Sequence, residues 1–261
     1  MNGETKAVEQ DGEYPAATIP SFLAAFQFLT IAPPLIRRPF TPKEMGRSVG
    51  FYPLVGLLIG AFLLGMNYLL GLVFPSLVRT ALVLVIWVLL SGALHLDGFL
   101  DACDGLFGGF TPESRLEIMR DERVGAFALA GGVLLLILKF SALAALAGHT
   151  WNALLLAPVL GRWTMACAVV AFPYARSQGL GRDMKDQATI WDLIQATAVA
   201  FIAAWFISGI TGLAAATVAG ISVWGVAAFT LKRIPGLTGD IYGAVNEIVE
   251  ITCLLTLVAI G

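Results

Sequence analysis

The stretch VGFYPLVGLLIGAFLLGMNYLLGLV, residues 49–73, carries no charged side chain and is long enough to cross a lipid bilayer as one helix. A membrane span needs ~20 mostly apolar residues, so the sequence predicts further spans at residues 80–96, 125–148, 151–172, 190–207, 212–231 and 245–260. Residues 21–36 are apolar but short, which leaves three interpretations open: a first span, a re-entrant piece or an interfacial helix. The pattern predicts an all-α, polytopic integral membrane bundle with seven or eight spans.

The composition also indicates a membrane protein. Hydrophobic residues make up 58% of the chain and charged residues 13%, whereas a soluble domain carries about 25% charged residues. The net charge of −2 argues against a nucleic-acid partner. Residues 1–20 are predicted to form a polar N-terminal tail rather than a signal peptide, and residues 21–261 a single transmembrane catalytic domain.

The basic residues predict how the bundle is oriented. Twelve of the 16 Lys and Arg residues fall in alternate loops: Arg37, Arg38, Lys43, Arg47, Arg115, Arg120, Arg123, Arg176, Arg182, Lys185, Lys232 and Arg233. The intervening loops contain only Arg79 and the neutral His149. Because positively charged loops stay on the cytoplasmic side, the four basic loops are predicted to face the cytoplasm.

An acidic motif, HLDGFLDACDG at residues 95–105, stands beside these apolar segments. Asp97, Asp101 and Asp104 are spaced by four and then three residues, which brings all three onto one stripe of a helix. Unpaired like charges on one stripe repel each other, and more strongly when water is excluded. The stripe therefore predicts a bound cation, Mg²⁺ carried with a phosphate substrate, on the cytoplasmic side. The alternative is the solvated start of a loop helix.

Three neighbours of the aspartates have open roles. Gly98 and Gly105 would let a bulky ligand or another backbone approach closely. His95 lies two residues before the first aspartate, and it is equally well read as an interfacial histidine or as a substrate-binding residue.

A second acidic motif is PGLTGDIYGAVNEIVE, residues 235–250. Asp240 and Glu247 are seven residues apart and so share a helical face. Thr238 and Asp240 could cap a helix or bind a ligand. Capping does not explain an acidic residue farther along, inside an apolar span, so we predict a second acidic site. Asn246 is included with Thr238 as a substrate-binding candidate.

Basic residues inside spans are further candidates. An unpaired cation there costs at least ~2.5 kcal/mol, so each should face a partner or an aqueous cavity. Arg162 is a candidate phosphate clamp, since its planar fork matches phosphate oxygens. Lys139 either serves the site or extends to the membrane interface.

Two polar loops complete the candidate set. Asp121 and Arg123 precede the span that begins at Gly125, where they either face the site or belong to an exposed connector. In the loop PYARSQGLGRDMKD at residues 173–186, Tyr174 and Arg176 are the predicted substrate contacts. The same loop could serve only as a positively charged anchor. Two acidic motifs with nearby arginines favour metal-assisted phosphoryl chemistry.

Several motifs together resemble the cobalamin synthase family, the adenosylcobinamide-GDP ribazoletransferases. They are HLDGFLDACDGLFGG at 95–109, FYPLVGLLIG at 51–60, MRDERVGAFA at 119–128, APVLGRW at 157–163 and GLTGDIYGAVNEIVE at 236–250. The resemblance covers nearly the whole chain after the tail.

The resemblance implies an activity. The enzyme would transfer adenosylcobinamide phosphate from adenosylcobinamide-GDP to a ribose hydroxyl of α-ribazole or its 5′-phosphate, releasing GMP with Mg²⁺ as cofactor. Asp97, Asp101 and Asp104 would be catalytic metal and diphosphate ligands, with Asp240 and Glu247 as the second acidic element. Asp104 and Asp240 are both candidates for the base. The implied location is the bacterial cytoplasmic (inner) membrane, and a homo-oligomer or contacts with other late cobalamin-pathway enzymes are left open.

The sequence departs from the patterns of three other classes of membrane protein. CDP-alcohol phosphotransferases have a DGxxAR pattern, but Asp97-Gly98 is followed by Leu100-Asp101 instead of Ala-Arg. Membrane prenyltransferases use NDxxD-type spacing, which is absent. A cation transporter would place carboxylates near mid-membrane along a path, whereas most acidic residues here gather towards one face.

Overall fold

The protein is an all-helical bundle, which confirms the predicted fold class. The computed structural model describes residues 18–146 and 150–260; most of the predicted tail, residues 1–17, and His149 lie outside them. The helices are α1 (Thr18–Leu29), α2 (Pro42–Ser48), α3 (Tyr52–Gly71), α4 (Ser76–Leu90), α5 (Leu94–Gly108), α6 (Pro112–Ile118), α7 (Ala126–Ala145), α8 (Thr150–Ala171), α9 (Leu180–Gln187), α10 (Ile190–Leu231) and α11 (Gly239–Ile260). The only β-type pairing among the described residues is an isolated bridge between Tyr174 and Leu237.

Five helical stretches are long and apolar enough to cross a membrane: Pro42–Gly71, α7, α8, α10 and α11. The count becomes six if α4 and α5 are taken together as one bent span. By length and composition the predicted seven or eight spans are therefore not confirmed. The apolar segment at residues 21–36 overlaps the 12-residue helix α1, which at 1.5 Å per residue covers only ~18 Å of a ~30 Å hydrocarbon core.

The bend between α4 and α5 brings the acidic stripe into the bundle. The two helices meet at 85° across a short break, where Gly92 and Ala93 have φ of 61° and 56°. Left-handed backbone at two successive residues ends α4, although it is unfavourable for an alanine. As a result α5 starts in a new direction, and the aspartates lie on a helix that packs inside the protein.

The long helix α10 folds back on itself at Gly209. That residue has φ 56° and ψ −131°, which no α-helix contains. Gly212 approaches the carbonyl of Ala204 so closely that an added Cβ would collide with it. In a continuous helix these two residues would be ~12 Å apart along the axis. The chain thus forms a helical hairpin, and both of its ends lie at the same end of the bundle.

Helix α8 forms the centre of the bundle. In its most apolar 18-residue window 83% of the residues are buried, compared with 28% in the corresponding window of α10. Small residues let neighbouring backbones approach it. A Cβ at Gly56 of α3 would lie 2.8 Å from the carbonyl carbon of Pro158 and 2.9 Å from Cα of Val159.

The close contact of α3 with α8 predicts a difference between two glycines of α3. Gly56→Ala should lower the free energy of unfolding by about 1–3 kcal/mol, because an added methyl group overpacks a filled interface. Gly65 has no atom within 4 Å of its added Cβ, so Gly65→Ala should equal or slightly exceed the wild type, since alanine favours helix. Thermal unfolding in nanodiscs would measure both, and equal stability of the two variants would contradict the packing described.

Candidate active site

The three aspartates of α5 line one cavity, as the spacing predicted. This acidic cavity has a volume of about 260 Å³. Its lining consists of Asp97, Leu100, Asp101, Asp104, Met119, Arg120, Asp121, Glu122, Arg123, Val124 and Ala128. The carboxylate of Asp101 is repelled by those of Asp240, Asp97 and Asp104 and attracted by the guanidinium of Arg176. The two acidic motifs therefore meet in space.

The three carboxylates differ in what they bind. Both oxygens of Asp104 accept backbone hydrogen bonds, from N–H of Gly125 at 2.6 Å and N–H of Ala128 at 2.9 Å. Asp104 thereby satisfies donors at the start of α7 that have no partner within the helix. The carboxylates of Asp97 and Asp101 make no hydrogen bond or ion pair with any residue of 18–146 or 150–260. They are the two carboxylates of the stripe that remain open to a ligand.

A second cavity adjoins the first, and Asp97 lines both. This aromatic cavity has a volume of about 270 Å³. Its lining consists of Phe28, Tyr52, Leu94, His95, Asp97, Gly98, Met165, Val169, Tyr174, Arg176, Gln178, Gly179, Leu180, Gly181, Met184, Gly239, Asp240, Tyr242 and Gly243. The shared aspartate places two separate binding volumes side by side.

Asp240 is held at the wall of the aromatic cavity by two donors. Nη2 of Arg176 donates to its Oδ2 at 2.7 Å, and the hydroxyl of Thr238 donates to the same oxygen at 3.1 Å. The Thr238 hydroxyl also accepts from N–H of Ile241 at 3.3 Å, so it caps the start of α11. The sequence left capping and ligand binding open for Thr238, and in the structure it caps and positions the carboxylate.

Two glycines explain how the acidic motifs come together. A Cβ at Gly98 of α5 would lie 2.9 Å from the carbonyl oxygen of Asp240, and a Cβ at Gly243 of α11 would lie 2.9 Å from the carbonyl oxygen of His95. Only glycine permits two helices to approach so closely at both positions. Of the two roles open for Gly98 in the sequence, approach of another backbone is the one observed.

Loop residues contribute to both cavities. Arg123 and Asp121 pair with each other at 2.6 Å, largely exposed to solvent, beside the acidic cavity. The guanidinium donates to the Asp121 carboxylate and lowers its pKa to about 2. Tyr174 packs against Tyr242 with ring centroids 5.8 Å apart, and partial burial raises the pKa of its phenol above the ordinary value.

Deeper in the bundle, four charged side chains form a closed network. Nζ of Lys139 donates to Glu247 Oε2 and Glu250 Oε2, each at 2.5 Å. Nη1 of Arg162 donates to Glu250 Oε1, and Asn246 donates to the same oxygen at 3.1 Å. Two cations and two anions cancel each other, so burial in the membrane requires no external counter-ion.

Four residues that the sequence analysis singled out lie in this network. Arg162, Asn246 and Glu247 line neither cavity. Arg162 and Asn246 donate to Glu250, and Glu247 accepts from Lys139. The extension of Lys139 to the membrane interface is wrong: it is 1% exposed and lies 5.1 Å from the centre of the Trp87 ring. The expectation that both intramembrane cations find partners is confirmed. Direct roles of Glu247, Arg162 and Asn246 in metal or substrate binding stay predictions.

His95 connects the network to the aromatic cavity. Its Nδ1 lies 3.4 Å from Nη2 of Arg162, and its ring lines the cavity beside Asp97. Its Nε2 is buried and has no partner among the described residues. His95 is 1% exposed, and the two roles open in the sequence, an interfacial histidine and a substrate-binding residue, stay predictions.

The structure adds residues that the sequence analysis missed. Arg120 and Glu122 line the acidic cavity, while Tyr242, Gln178 and Met184 line the aromatic cavity. Tyr242 is two residues beyond Asp240, which is ~200° around a helix, so spacing alone assigns it to another face. Its position between two predicted motif residues, Asp240 and Asn246, was the available signal.

The carboxylates of the acidic cavity bear on whether a divalent ion could bind there. The described part of the chain has no group of three or more His, Cys, Asp or Glu side chains placed to hold a metal ion by themselves. Mg²⁺, however, is commonly held by one or two carboxylates together with substrate phosphates and water. Asp97 and Asp101 provide two carboxylates with that chemistry and no competing partner, so the residues fit Mg²⁺ bound jointly with a phosphorylated substrate.

An apolar helical bundle with adjoining acidic and aromatic cavities, both containing arginine, fits a membrane enzyme that acts on phosphorylated substrates. The profile of the family described as cobalamin-5-phosphate synthase matches residues 21–258. The chain belongs to the cobalamin-5-phosphate synthase family, which confirms the resemblance of its motifs.

Similar curated proteins share this name for the activity. The chain is similar to the adenosylcobinamide-GDP ribazoletransferase of Geotalea daltonii, with 38% identity over 92% of this chain and 97% of that protein. It is 42% identical to that of Pseudomonas savastanoi pv. phaseolicola, over 90% of this chain and 98% of that protein. The ribazoletransferase of Desulforamulus reducens is 37% identical over 92% and 96% of the two chains. No solved structure matches the chain significantly.

The buried network predicts that removing one cation strongly lowers stability, and that removing a carboxylate as well restores part of it. Lys139→Met should lower the free energy of unfolding by about 3–5 kcal/mol, because it leaves buried carboxylates with one cation between them. The double variant Lys139→Met with Glu247→Gln removes one charge of each sign and should recover much of that loss. Thermal unfolding in nanodiscs measures the coupling.

The matched control is the exposed pair Arg182–Asp186, whose side chains are 41% and 46% exposed. Asp186→Asn should change stability little, since exposed pairs contribute little. A Lys139→Met protein as stable as the wild type would show that the network does not hold the helices together.

Proposed function

We propose that this protein is an adenosylcobinamide-GDP ribazoletransferase. It transfers the adenosylcobinamide phosphate group from adenosylcobinamide-GDP to a ribose hydroxyl of α-ribazole or of its 5′-phosphate. The supporting observation is the pair of cavities joined at Asp97, because a transfer between two substrates requires two adjoining binding volumes. Family membership and the names of the similar proteins support the same activity.

The reaction is a displacement at phosphorus. The ribose hydroxyl oxygen of the acceptor forms a bond to the phosphorus that carries the adenosylcobinamide group. The bond from that phosphorus to the bridging oxygen of the diphosphate breaks, and GMP leaves with the electron pair. The hydroxyl proton passes to a carboxylate of the site, and the protein contributes mainly positioning and electrostatic stabilisation.

Asp240 is the better of the two predicted bases. Both oxygens of Asp104 already accept backbone N–H groups. In Asp240, Oδ2 accepts from Arg176 and Thr238, while Oδ1 accepts no hydrogen bond from the described residues. That second oxygen remains available to accept the proton of a hydroxyl in the aromatic cavity, and Arg176 stabilises the carboxylate in the orientation required.

Asp97 and Asp101 would hold Mg²⁺ together with the diphosphate. When bound, the ion would supply neutralisation of the charge that develops on the leaving phosphate. Arg120 and Arg123 line the same acidic cavity, where their guanidinium groups bind phosphate oxygens of the guanosine half.

The buried charges also support an enzyme over a cation transporter. Glu247 and Glu250 are neutralised by Lys139 and Arg162. A path for cations would need carboxylates that are free to bind the passing ion. Asp97 and Asp101, whose carboxylates have no hydrogen-bonding partner among the described residues, lie instead at the cavities.

We further propose seven spans with the site towards the cytoplasm of a bacterial inner membrane. The hairpin at Gly209 divides α10 into residues 190–208 and 210–231, each long enough to cross a bilayer, and α4 with α5 forms one bent span. This topology places all four basic loops on one side, in agreement with the positive-inside rule. The pairing of N–H of Ala175 with the carbonyl of Leu237 at 2.8 Å supports that arrangement, because it joins two of those loops.

The metal assignment predicts the behaviour of two variants. Asp97→Asn and Asp101→Asn should each lower GMP release by about a hundredfold or more at low Mg²⁺, and added Mg²⁺ should restore part of the rate. Each loses a charged oxygen ligand for the ion. Release of GMP from adenosylcobinamide-GDP by protein in nanodiscs is the measurement.

Asp183→Asn is the control for loss of one negative charge, since Asp183 is exposed and lines neither cavity. It should keep the wild-type dependence on Mg²⁺. Full GMP release by both α5 variants at low Mg²⁺ would remove Asp97 and Asp101 from the metal site.

The topology predicts opposite labelling of two serine positions. Ser76 and Ser177 are both exposed, and the proposed topology puts them on opposite sides of the membrane. With a membrane-impermeant maleimide, Ser76→Cys should react in intact spheroplasts, whereas Ser177→Cys should react only after lysis. The parent chain, in which Cys103 and Cys253 are buried and Cys167 is partly buried, provides the blank. Labelling of Ser177→Cys in intact spheroplasts would reverse the orientation.

A further inference from the structure

We propose that the aromatic cavity is the acceptor subsite and selects a nucleoside with an apolar bicyclic base, while the acidic cavity takes the diphosphate of the donor. This assignment rests on the proposed function, under which the acceptor is α-ribazole, the riboside of a dimethylated benzimidazole. It divides the two substrates between two volumes that meet at Asp97.

The lining of the aromatic cavity fits a flat apolar base. It combines aromatic rings with flexible methionine side chains: Phe28, Tyr52, Tyr174, Tyr242, Met165 and Met184. Aromatic rings pack against a bicyclic base through stacked or edge contacts. Methionine adapts to irregular shapes such as ring methyl groups and makes favourable contacts with aromatic rings.

The size of the cavity restricts its occupant. Its volume of about 270 Å³ lies near the lower end of the roughly 300–1,000 Å³ typical of small-molecule pockets. That space suits one nucleoside and excludes a corrin ring with its side chains. The donor must therefore keep its corrinoid outside this cavity.

Two buried polar atoms in the wall have no partner within the described residues, the hydroxyl of Tyr242 and Nε2 of His95. Tyr242 is 4% exposed and His95 is 1% exposed. Buried polar groups are nearly always hydrogen-bonded in folded proteins. These two atoms therefore point to a ligand that brings its own hydrogen-bonding groups into this cavity.

The chemistry of these two atoms indicates what the ligand presents. Arg162 can only donate, so Nδ1 of His95, 3.4 Å from its Nη2, is the acceptor and the ring proton is on Nε2. His95 thus offers an N–H donor, and Tyr242 offers an O–H donor. A benzimidazole riboside has one free ring nitrogen and ribose oxygens as acceptors. Guanine also presents N–H donors, for which the N–H of His95 offers no acceptor.

The arrangement also gives Arg162 and Glu250 a positioning role towards the acceptor. The pair fixes the tautomer of His95 from behind, through a contact that does not reach the cavity itself. The ribose end of the ligand then meets Asp97, Asp240 and Arg176 at the part of the wall shared with the acidic cavity. The base is held in the apolar part, and the hydroxyl is directed to the donor phosphate.

The decisive experiment separates the two Michaelis constants in full-length protein reconstituted in nanodiscs. Tyr242→Phe removes one hydroxyl without changing the ring. It should raise KM for α-ribazole about five- to tenfold, the value of one hydrogen bond, and leave KM for adenosylcobinamide-GDP within twofold. Arg120→Gln in the acidic cavity should instead raise KM for adenosylcobinamide-GDP and leave KM for α-ribazole within twofold.

A second variant protects the test against a general folding defect. Val169 lines the aromatic cavity and is 1% exposed. Val169→Ile narrows the cavity by one methylene group without touching a polar atom. This variant should weaken the binding of α-ribazole more than the binding of the riboside of unsubstituted benzimidazole, because the latter lacks the two ring methyl groups. Two results would overturn the assignment. One is that Val169→Ile weakens the binding of the two ribosides equally. The other is that Tyr242→Phe changes KM for adenosylcobinamide-GDP alone.

Calorimetric titration without donor distinguishes this inference from the proposed function. α-Ribazole should bind the wild type, bind Tyr242→Phe more weakly, and not be displaced by GMP. Displacement by GMP would assign the aromatic cavity to the guanosine half and refute the inference while leaving the activity intact. If α-ribazole binds as expected but no GMP is released from adenosylcobinamide-GDP, the proposed function fails and the subsite stands.

Discussion

The buried ionic network of Lys139, Arg162, Glu247 and Glu250 is the constraint on which the rest of the structure depends. A single unpaired charge inside a membrane is costly, so helices α7, α8 and α11 can pack only in the register in which all four charges meet. Through Arg162 the network also reaches His95 on α5. The four helices around the site are thus aligned by a requirement for neutrality.

The position of the cavities follows from that alignment. Asp240 is seven residues before Glu247, so it lies ~10 Å along α11, at the end of the bundle where the basic loops gather. Gly98 and Gly243 let α5 approach α11 there almost backbone to backbone. The two acidic motifs consequently form one wall, and Asp97 stands between the two cavities.

Identical side chains have different functions in this site because their surroundings differ. Asp104 satisfies backbone donors at the start of α7, and Asp240 is held by Arg176 and Thr238. Asp97 and Asp101 have no such partners among the described residues, so they are the carboxylates open to a cation. Three equivalent carboxylates in a row would repel one another. The backbone N–H groups that Asp104 accepts relieve part of that repulsion.

The sequence by itself determined the membrane class, the family, the all-α fold and the common face of Asp97, Asp101 and Asp104. Those properties depend on composition, motif order and the period of one helix. Only the tertiary structure decided that α4 bends by 85° into α5, that Glu247 pairs with Lys139, and that Tyr242 lines a cavity. Spacing along the chain fixes which residues share a helix face, but the partner of that face comes from a different helix, far away in sequence. That is why the stripe could be predicted and the partners of Glu247 and Arg162 could not.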